Sequence, residues 1–388
     1  MEQTLTLACK LQPTPEQSAQ IEVFLKAFAD ACDFANQAVA PKITSKTTIQ
    51  SQVYQELRAR FGLSANQSVR VCARVGANRK TAKLKGKPVK SFKPTSADYD
   101  ARIFAFREKD WTVSLTLLGC REHIKLDIGN YQRGKLKGRK PTSAQLCKHG
   151  DGCYYIHIQL TDEAPDPIKS DKVIGVDLGR REIAKTSTNQ GWDGAKLNAV
   201  RDRFSRVRAS LQSKASKGTR STRRRARQVL KRLSGRERRF QQWVNHNVSA
   251  AIIREAKQNS AVIAIEDLTG IRDRTNQQPR SKMEKRRSNS WAFYQLRQFL
   301  AYKGIKEGVE VVLANPAYTS QTCHCCNHIG LRSEKRFKCG HCGWHGDADL
   351  NGALNIAKLG AVVSRLRGSE SLSCDLQGYR KPLASAMG

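Results

Sequence analysis

Three carboxylates stand at places where burial is costly. Asp177 follows Ile174-Gly175-Val176, Glu266 follows Val262-Ile263-Ala264-Ile265, and Asp349 lies in Gly346-Asp347-Ala348-Asp349-Leu350-Asn351. The first two end apolar runs that read as buried strands, and the third opens a helical pattern. An acid at the end of an apolar strand is expensive unless water or a metal ion meets it there. Several carboxylates converging on one sheet edge make a site for a hard divalent cation. Mg²⁺ held in this way activates a water and steadies the leaving oxygen during phosphodiester hydrolysis, so the pattern points to a metal nuclease. Taken singly, each acid also fits an ordinary strand end or helix cap. Asp267 and Asp347 are the alternates for Glu266 and Asp349, and Asp347 is equally placed to cap the helix.

A second constellation is made of sulfur. Cys323-x2-Cys326 and Cys339-x2-Cys342 are separated by twelve residues and supply four thiolates. That set suits tetrahedral Zn²⁺ and leaves no open position for a reacting water, so its role is structural. Cys325 competes for register, but only Cys323 stands at the knuckle spacing from Cys326. Arg332, Lys335, Arg336 and Lys338, with Gly340 and Gly343, fit a ribbon that touches phosphate. The remaining cysteines are scattered and read as small buried hydrophobes in a reducing compartment.

The charge names the partner class. The chain has 388 residues, 69 Lys and Arg against 34 Asp and Glu, and a formal net charge of +35, which favours a polyanion, nucleic acid foremost. Between Arg201 and Arg239 there are sixteen basic residues and two acidic ones. So many like charges repel unless an anion lies between them, which makes Arg223, Arg224, Arg225, Arg227, Lys231 and Arg232 candidate nucleic-acid contacts. Arg272 and Arg274, in the basic loop after Glu266, join them. No stretch approaches the ~20 apolar residues of a membrane span, and Met1–Gln17 lacks the pattern of a signal peptide. A cytoplasmic protein, nucleoid-associated when bound to DNA, is expected.

These groups need a scaffold, and the periodicity sketches a multidomain α+β one. Leu5, Leu7, Cys9 and Leu11 alternate as in a half-buried strand, and Thr14-Pro15-Glu16-Gln17 carries a capping box that opens a helix. Further helices over 48–62 and 66–82 complete a small basic α-helical unit, on which Gln67, Arg74 and Asn78 have the spacing and chemistry to read base edges. Short alternating strands between residues 98 and 160 predict a small antiparallel β-barrel, with the first strand part of it and the helical unit inserted. In the second half, strands at 172–179, 261–265 and 309–313 alternate with two long helices across 198–258 and helices at 291–304 and 349–359. Trp291, Phe293 and Tyr294 read more readily as core anchors than as base-stacking groups.

Six segments now carry a resemblance: GVDLG (175–179), AIEDLTGIR (264–272), NSWAFYQLRQFL (289–300), NPAYTSQTCHCC (315–326), FKCGHCG (337–343) and DADLNGALNIA (347–357). In this order they closely resemble the TnpB proteins of bacterial insertion sequences, relatives of compact type V CRISPR effectors. One departure is Gly352, where the family usually has Ala. The resemblance implies a wedge barrel over 1–12 and 96–168, a helical recognition domain over 13–95, and a RuvC-like nuclease domain of RNase H fold over 169–317 and 347–360. It further implies a zinc ribbon over 318–346 that binds target nucleic acid; residues 361–388, lacking periodicity, are expected to be a disordered tail. Carried onto this chain, the catalytic acids are Asp177, Glu266 and Asp349, working with two Mg²⁺ ions. The implied activity is RNA-guided cutting of double-stranded DNA beside a short adjacent motif, with one guide RNA made from the transposon end and bound by one chain. The alternatives are a guided DNA-binding protein without cleavage, a miniature CRISPR effector, or a transposase acting directly.

Overall fold

In the computed structural model, β1 (Glu2–Gln12) turns Leu7, Cys9 and Leu11 to the core, as its alternation predicts. The capping box then forms: Thr14 Oγ1 accepts from Gln17 N at 3.2 Å and Gln17 Oε1 accepts from Thr14 N at 3.1 Å, opening α1 (Pro15–Ala38). The chain continues through α2 (Lys46–Phe61) and α3 (Ala65–Leu84). Arg79 of α3 is buried and donates to Asn36 Oδ1 and to the carbonyls of Asn36, Val39, Ala40 and Ile43, all at 2.8–2.9 Å. It thereby satisfies carbonyls that the end of α1 would otherwise leave orphaned. Six strands and a short helix follow: β2 (Ser96–Asp100), β3 (Phe104–Arg107), β4 (Thr112–Thr116), β5 (Arg121–Asp127), α4 (Asn130–Leu136), β6 (Ser143–Lys148) and β7 (Tyr154–Glu163). They assemble with β1 into an antiparallel sheet ordered β2-β6-β7-β1-β5-β4-β3.

This sheet corrects the expected barrel. It curls, so that Tyr99 of β2 donates from its hydroxyl to Thr116 O at 3.1 Å, but it does not close: among the described residues no ladder joins the edge strands β2 and β3. Side chains of α3 take up the β2 edge instead. Arg74 Nη1 donates to Ser96 O at 2.5 Å, Arg74 Nε to Asp98 at 2.7 Å, and Arg70 to Asp100 at 2.7 Å. The helical unit thus covers an edge that would otherwise have to pair.

The structure describes residues 2–179, 181–271, 277, 279, 281, 284–285, 292–315 and 317–367, which form two compact units divided after Glu163. The second begins with β8 (Val173–Asp177), β9 (Glu182–Thr186) and β10 (Gly191–Asp193). Three helices, not two, fill the basic stretch: α5 (Ala195–Lys217), α6 (Arg220–Leu233) and α7 (Arg236–Gln258). The breaks are local. Thr219 caps α6 through its hydroxyl after Gly218, and Gly235 takes φ +76°, which glycine adopts without Cβ strain. Then come β11 (Val262–Glu266), α8 (Phe293–Glu307) and β12 (Val311–Ala314). The five strands order as β10-β9-β8-β11-β12; β8, β11 and β12 run parallel, and β9 and β10 antiparallel.

A three-stranded ribbon of β13 (Leu331–Ser333), β14 (Arg336–Lys338) and β15 (His345–Asp347) leads directly into α9 (Ala348–Arg367). The end of α9 therefore spans 361–367 of the expected tail, and residues 368–388 lie outside the described residues. No described helix is long and apolar enough to cross a membrane.

Small residues set the seat of α9 on the sheet. A Cβ on Gly175 of β8 would lie 2.0 Å from Ala353 O and 2.4 Å from Ala357 N, and one on Gly360 would lie 2.3 Å from Ala264 Cβ. We expect Gly175→Ala to push α9 off β8 and destabilise this unit by about 1–3 kcal/mol, the usual cost of overpacking. Gly134→Ala, in α4 with open space around it, should be neutral or mildly stabilising. Thermal melting with hydrogen exchange across 353–357 checks this; equal protection in both variants would show that the close seat carries no weight.

Candidate active site and metal centre

The C-terminal ends of neighbouring parallel strands bring two of the acids together. Val176 pairs with Ile265, so Asp177 and Glu266 leave adjacent strands at the same level. The third comes from α9. Asp347 Oδ1 accepts from the backbone N–H of Asp349 at 2.8 Å and of Leu350 at 3.2 Å, so Asp347 is the cap and Asp349 lies in the first turn. One turn on, a Cβ at Gly352 would lie 3.3 Å from Asp177 Oδ2, which shows how closely this face of α9 meets the strand end. Asp267, the other alternate, is engaged elsewhere. It accepts from Thr269 Oγ1 at 2.5 Å and from Arg297 Nη1 at 2.8 Å; burial pushes its carboxyl up, yet these partners outweigh burial and hold it below the usual range.

Asp177 feels the other two acids. Burial, then the charges of Glu266 and Asp349, push Asp177 well above the ordinary carboxylate range, with Glu182 adding to the shift and Arg332 opposing it. Burial also raises Glu266, against a hydrogen bond from Thr319 Oγ1 and the charge of Arg332. Arg332 donates from Nη2 to Asp349 Oδ1 at 2.7 Å, so one guanidinium serves a field made by three carboxylates. Unlike the ribbon thiols, the three carboxylates are not drawn within 4.8 Å of one another. Asp177 is coupled to the other two without the three forming a closed ligand set.

Arg332 arrives from the ribbon, and the ribbon is pinned at both ends. Lys335 Nζ meets Glu182 at 3.0 Å and Arg181 meets Glu334 at 3.2 Å, which fixes the β13–β14 turn beside β9. Lys335 O accepts from Ala348 N at 2.9 Å, tying the same turn to the mouth of α9. Two buried amides of α9 hold the other side: Asn351 donates to Thr322 O at 2.7 Å, and Asn355 to Thr319 O at 2.9 Å and Thr322 O at 2.6 Å. Thr319, Asn351 and Asn355 are positioning residues that the motif reading passed over, and Arg332, read there as a phosphate contact, instead serves Asp349. The i,i+4 spacing of the two asparagines on a helix that must be buried was the available signal.

Sulfur ligands gather as their spacing predicts. Cys323, Cys326, Cys339 and Cys342 place their Sγ atoms within 4.8 Å of one another, with Cys323–Cys342 at 3.6 Å and Cys326–Cys339 at 3.5 Å. The backbone N–H groups of Cys342 and His341 draw the Cys339 thiol down to about 6, which favours the thiolate a metal needs. Four soft thiolates at tetrahedral spacing fit Zn²⁺. Cys325 is exposed and outside this set.

The other candidates divide. Arg223, Arg224, Arg225, Arg227, Lys231 and Arg232 are all exposed on α6, whose one buried residue is Ala226. Among the described residues none of the six is ion-paired. Arg272, Arg274 and Trp291 lie outside the described residues; Phe293 is buried and Tyr294 exposed. Trp243 of α7, 62% exposed and stacked on Phe240, adds an aromatic surface that the sequence reading did not single out. In the first unit, Gln67 is buried and belongs to a second capping box: Gln67 N donates to Ser64 Oγ and Ser64 N to Gln67 Oε1, while Nε2 donates to Thr116 O at 2.9 Å. Arg74 is held by Asp98 and Ser96, and exposed Asn78 donates to Arg74 O at 3.0 Å.

Comparison with known proteins follows this geometry closely. A family model described as probable transposase matches residues 155–270, and one described as Cas12f1-like, TNB domain, matches 293–356. A TnpB-like protein of Methanocaldococcus jannaschii is 31% identical over 46% of this chain and 62% of its own length. A CRISPR-associated endodeoxyribonuclease Cas12f1 of Syntrophomonas palmitatica is 30% identical over 62% of this chain and 48% of its own. The putative RNA-guided DNA endonuclease InsQ of Escherichia coli is 30% identical over 57% and 56%. The chain thus matches about half to three fifths of the length of these relatives. The fold is shared with the protein in a cryo-EM structure of a Cas12f1–sgRNA–target DNA complex, at a TM-score of 0.63 and 12% identity over 89% of this chain and 83% of that one. With both family models falling on the segments that hold the acids and the ribbon, the chain belongs to the TnpB/Cas12f family.

Proposed function

We propose that this chain is a Mg²⁺-dependent, RNA-guided DNA endonuclease that cuts double-stranded DNA beside a short adjacent motif. The observation that carries the reading is the convergence of Asp177, Glu266 and Asp349 on Arg332, with Asp177 raised by burial and by the charges of the other two. A carboxylate raised by burial and by its acidic neighbours, as Asp177 is, lacks positive charge, and an all-oxygen donor set suits a hard cation. Asp177, Glu266 and Asp349 would hold Mg²⁺, which when bound activates water and offsets charge on the leaving oxygen. The chain's own groups prepare that site. Thr319 occupies Glu266 Oε1 and leaves Oε2 free. Arg332 orients Asp349 and presents a guanidinium where charge on a reacting phosphate would grow.

Relatives named as RNA-guided DNA endonuclease and CRISPR-associated endodeoxyribonuclease support guidance by RNA. In such a protein, base pairing reads the target and the protein holds the backbone of the RNA–DNA duplex. The unpaired cations of α6 are suited to that task, Trp243 offers a stacking surface, and one chain with one guide RNA is the simplest assembly. The Cas12f1 relatives keep a second reading open, a miniature CRISPR effector of the same chemistry. Sequencing the RNA that co-purifies with the protein separates a transposon-end guide from a repeat-derived one.

Asp177→Ala should lower cleavage of matched DNA roughly 10³-fold or more, since each ~1.4 kcal/mol of lost transition-state stabilisation is tenfold, and should leave guide and target binding intact by gel shift. Cutting at the unmutated rate, or no cutting by the intact complex under any divalent metal, would refute the assignment; the latter outcome would leave a guided binding protein.

The raised acids also set a pH dependence. Asp177 and Glu266 bind protons more tightly in the folded chain than in the unfolded one. Their contribution to metal-free stability is therefore full below the ordinary carboxylate range and is lost as pH rises through the raised folded values. Asp177→Asn should raise the melting temperature of the metal-free protein at neutral pH. Because Mg²⁺ competes with protons for the same oxygens, more Mg²⁺ should move the acid limb of the cleavage–pH profile to lower pH. A limb that stays put across a hundredfold range of Mg²⁺ would contradict this.

Removing zinc should act at a distance. Chelation, or Cys339→Ser, frees the ribbon that delivers Arg332 and grips Ala348. We expect cleavage to fall at least ~10-fold with guide-RNA binding kept. Full cleavage by a chain shown by elemental analysis to be zinc-free would exclude a ribbon role in the site.

A further inference from the structure

The ribbon holds two imidazoles that the four-thiolate site does not use. His328 stands two residues after Cys326, and His341 lies between Cys339 and Cys342. Both are exposed, yet their rings stack face to face, with centroids 3.6 Å apart and planes 6° from parallel. A ring nitrogen of each lies with Cys326 Sγ inside a 4.8 Å group. Two nitrogens bound to one tetrahedral zinc at 2.0–2.1 Å stand ~3.3 Å apart, so the spacing suits a shared ion; lone pairs in parallel planes do not converge, and one of the two exposed rings must turn out of the stack to bind it. One tautomer is also set. His328 Nδ1 lies 3.1 Å from Cys326 O, and a carbonyl only accepts, so Nδ1 carries the hydrogen and Nε2 keeps its lone pair. That arrangement, with the far nitrogen tied to a backbone carbonyl, is how metal-binding imidazoles are commonly oriented.

We propose that His328 and His341, with the Cys326 thiolate shared from the inner site, form a second metal site for a borderline cation such as Zn²⁺. Thiolate sulfur has lone pairs to spare and bridges two ions without leaving the first. The outer ion would have two nitrogens, one bridging sulfur and water, a smaller and more open shell than the four sulfurs within. It is the weaker and more exchangeable site, and its position beside Cys326 makes it the place where zinc enters or leaves the ribbon. Nitrogen and sulfur donors exclude Mg²⁺ from it. The proposal rests on the inner site being loaded, and a chain that binds no zinc would refute both.

The test uses the untagged full chain carrying Asp177→Ala, with millimolar Mg²⁺ present, so that the carboxylates do not add to the count. Zinc titration followed by native mass spectrometry should give two ions per chain, the second more easily removed by a mild chelator. Titration with Co²⁺ should show a second, later rise in thiolate-to-cobalt charge-transfer absorption. His328→Ala/His341→Ala should lose the second ion and keep the first. One zinc per chain before any histidine is changed, or two in the double variant, overturns the proposal while leaving the inner site standing. If the double variant loses both ions, the single substitution His341→Gln must lose the second alone; retention of two ions, or loss of both again, overturns it.

Discussion

The second unit is organised around one electrostatic constraint: Asp177 is held, largely withdrawn from water, where it feels the charges of Glu266 and Asp349. Left to itself such a group disperses or takes up protons. Here the backbone forbids dispersal. Asp177 and Glu266 are fixed by the parallel register of β8 and β11, and Asp349 by a helix whose seat on β8 leaves no room for a side chain at Gly175. Burial, with the repulsion that movement cannot relieve, appears as raised proton affinity in Asp177, while burial raises Glu266. A site so placed would respond strongly to added positive charge, which is the physical ground for the proposed divalent cation.

The ribbon's place in the chain follows from the same constraint. It is inserted between β12, which neighbours the Glu266 strand, and α9, which carries Asp349. A segment this short buries too few apolar side chains to fold alone, its core being little more than Cys323, Phe337, Cys339 and Ala348. A metal held by its four thiolates would supply the missing cohesion. That cohesion is used at a single point, the guanidinium of Arg332 against Asp349, while Lys335–Glu182 and the asparagines of α9 keep the clip in register. A loaded ribbon would thus set the surroundings of Asp349.

Much of this was legible in the residues because burial and spacing leave strong marks. The apolar runs before Asp177 and Glu266, the paired Cys-x2-Cys knuckles and the capping box at Thr14 each translate directly into the observed elements. The failures have equally local causes. A closed barrel and an open curled sheet share the same alternation, and what decides between them is Arg74 filling the edge at Ser96, a contact between residues 22 apart. Gln67 looked like a base reader because its side chain is polar on a helix, but Ser64 three residues earlier makes it a cap. Two long basic helices became three because Gly218 and Gly235 act as stops. Arg332 was visible as a basic ribbon residue, but not as the counterion of the acids, since seventeen residues and a metal knuckle separate it from Asp349.

The net charge of +35 takes on meaning against this background. A site built from three carboxylates repels the phosphate it is proposed to cut, and that repulsion cannot be removed locally without removing the cation-binding groups themselves. The remedy is to place the attraction elsewhere in the same unit. On α6 seven basic residues stand without an acid, exposed around a helix whose one buried side chain is an alanine. A helix with so little apolar surface contributes almost nothing to a core, and its cations repel one another in the free chain. A bound polyanion would offset that repulsion, the division of labour expected when binding charge and cutting charge have opposite signs.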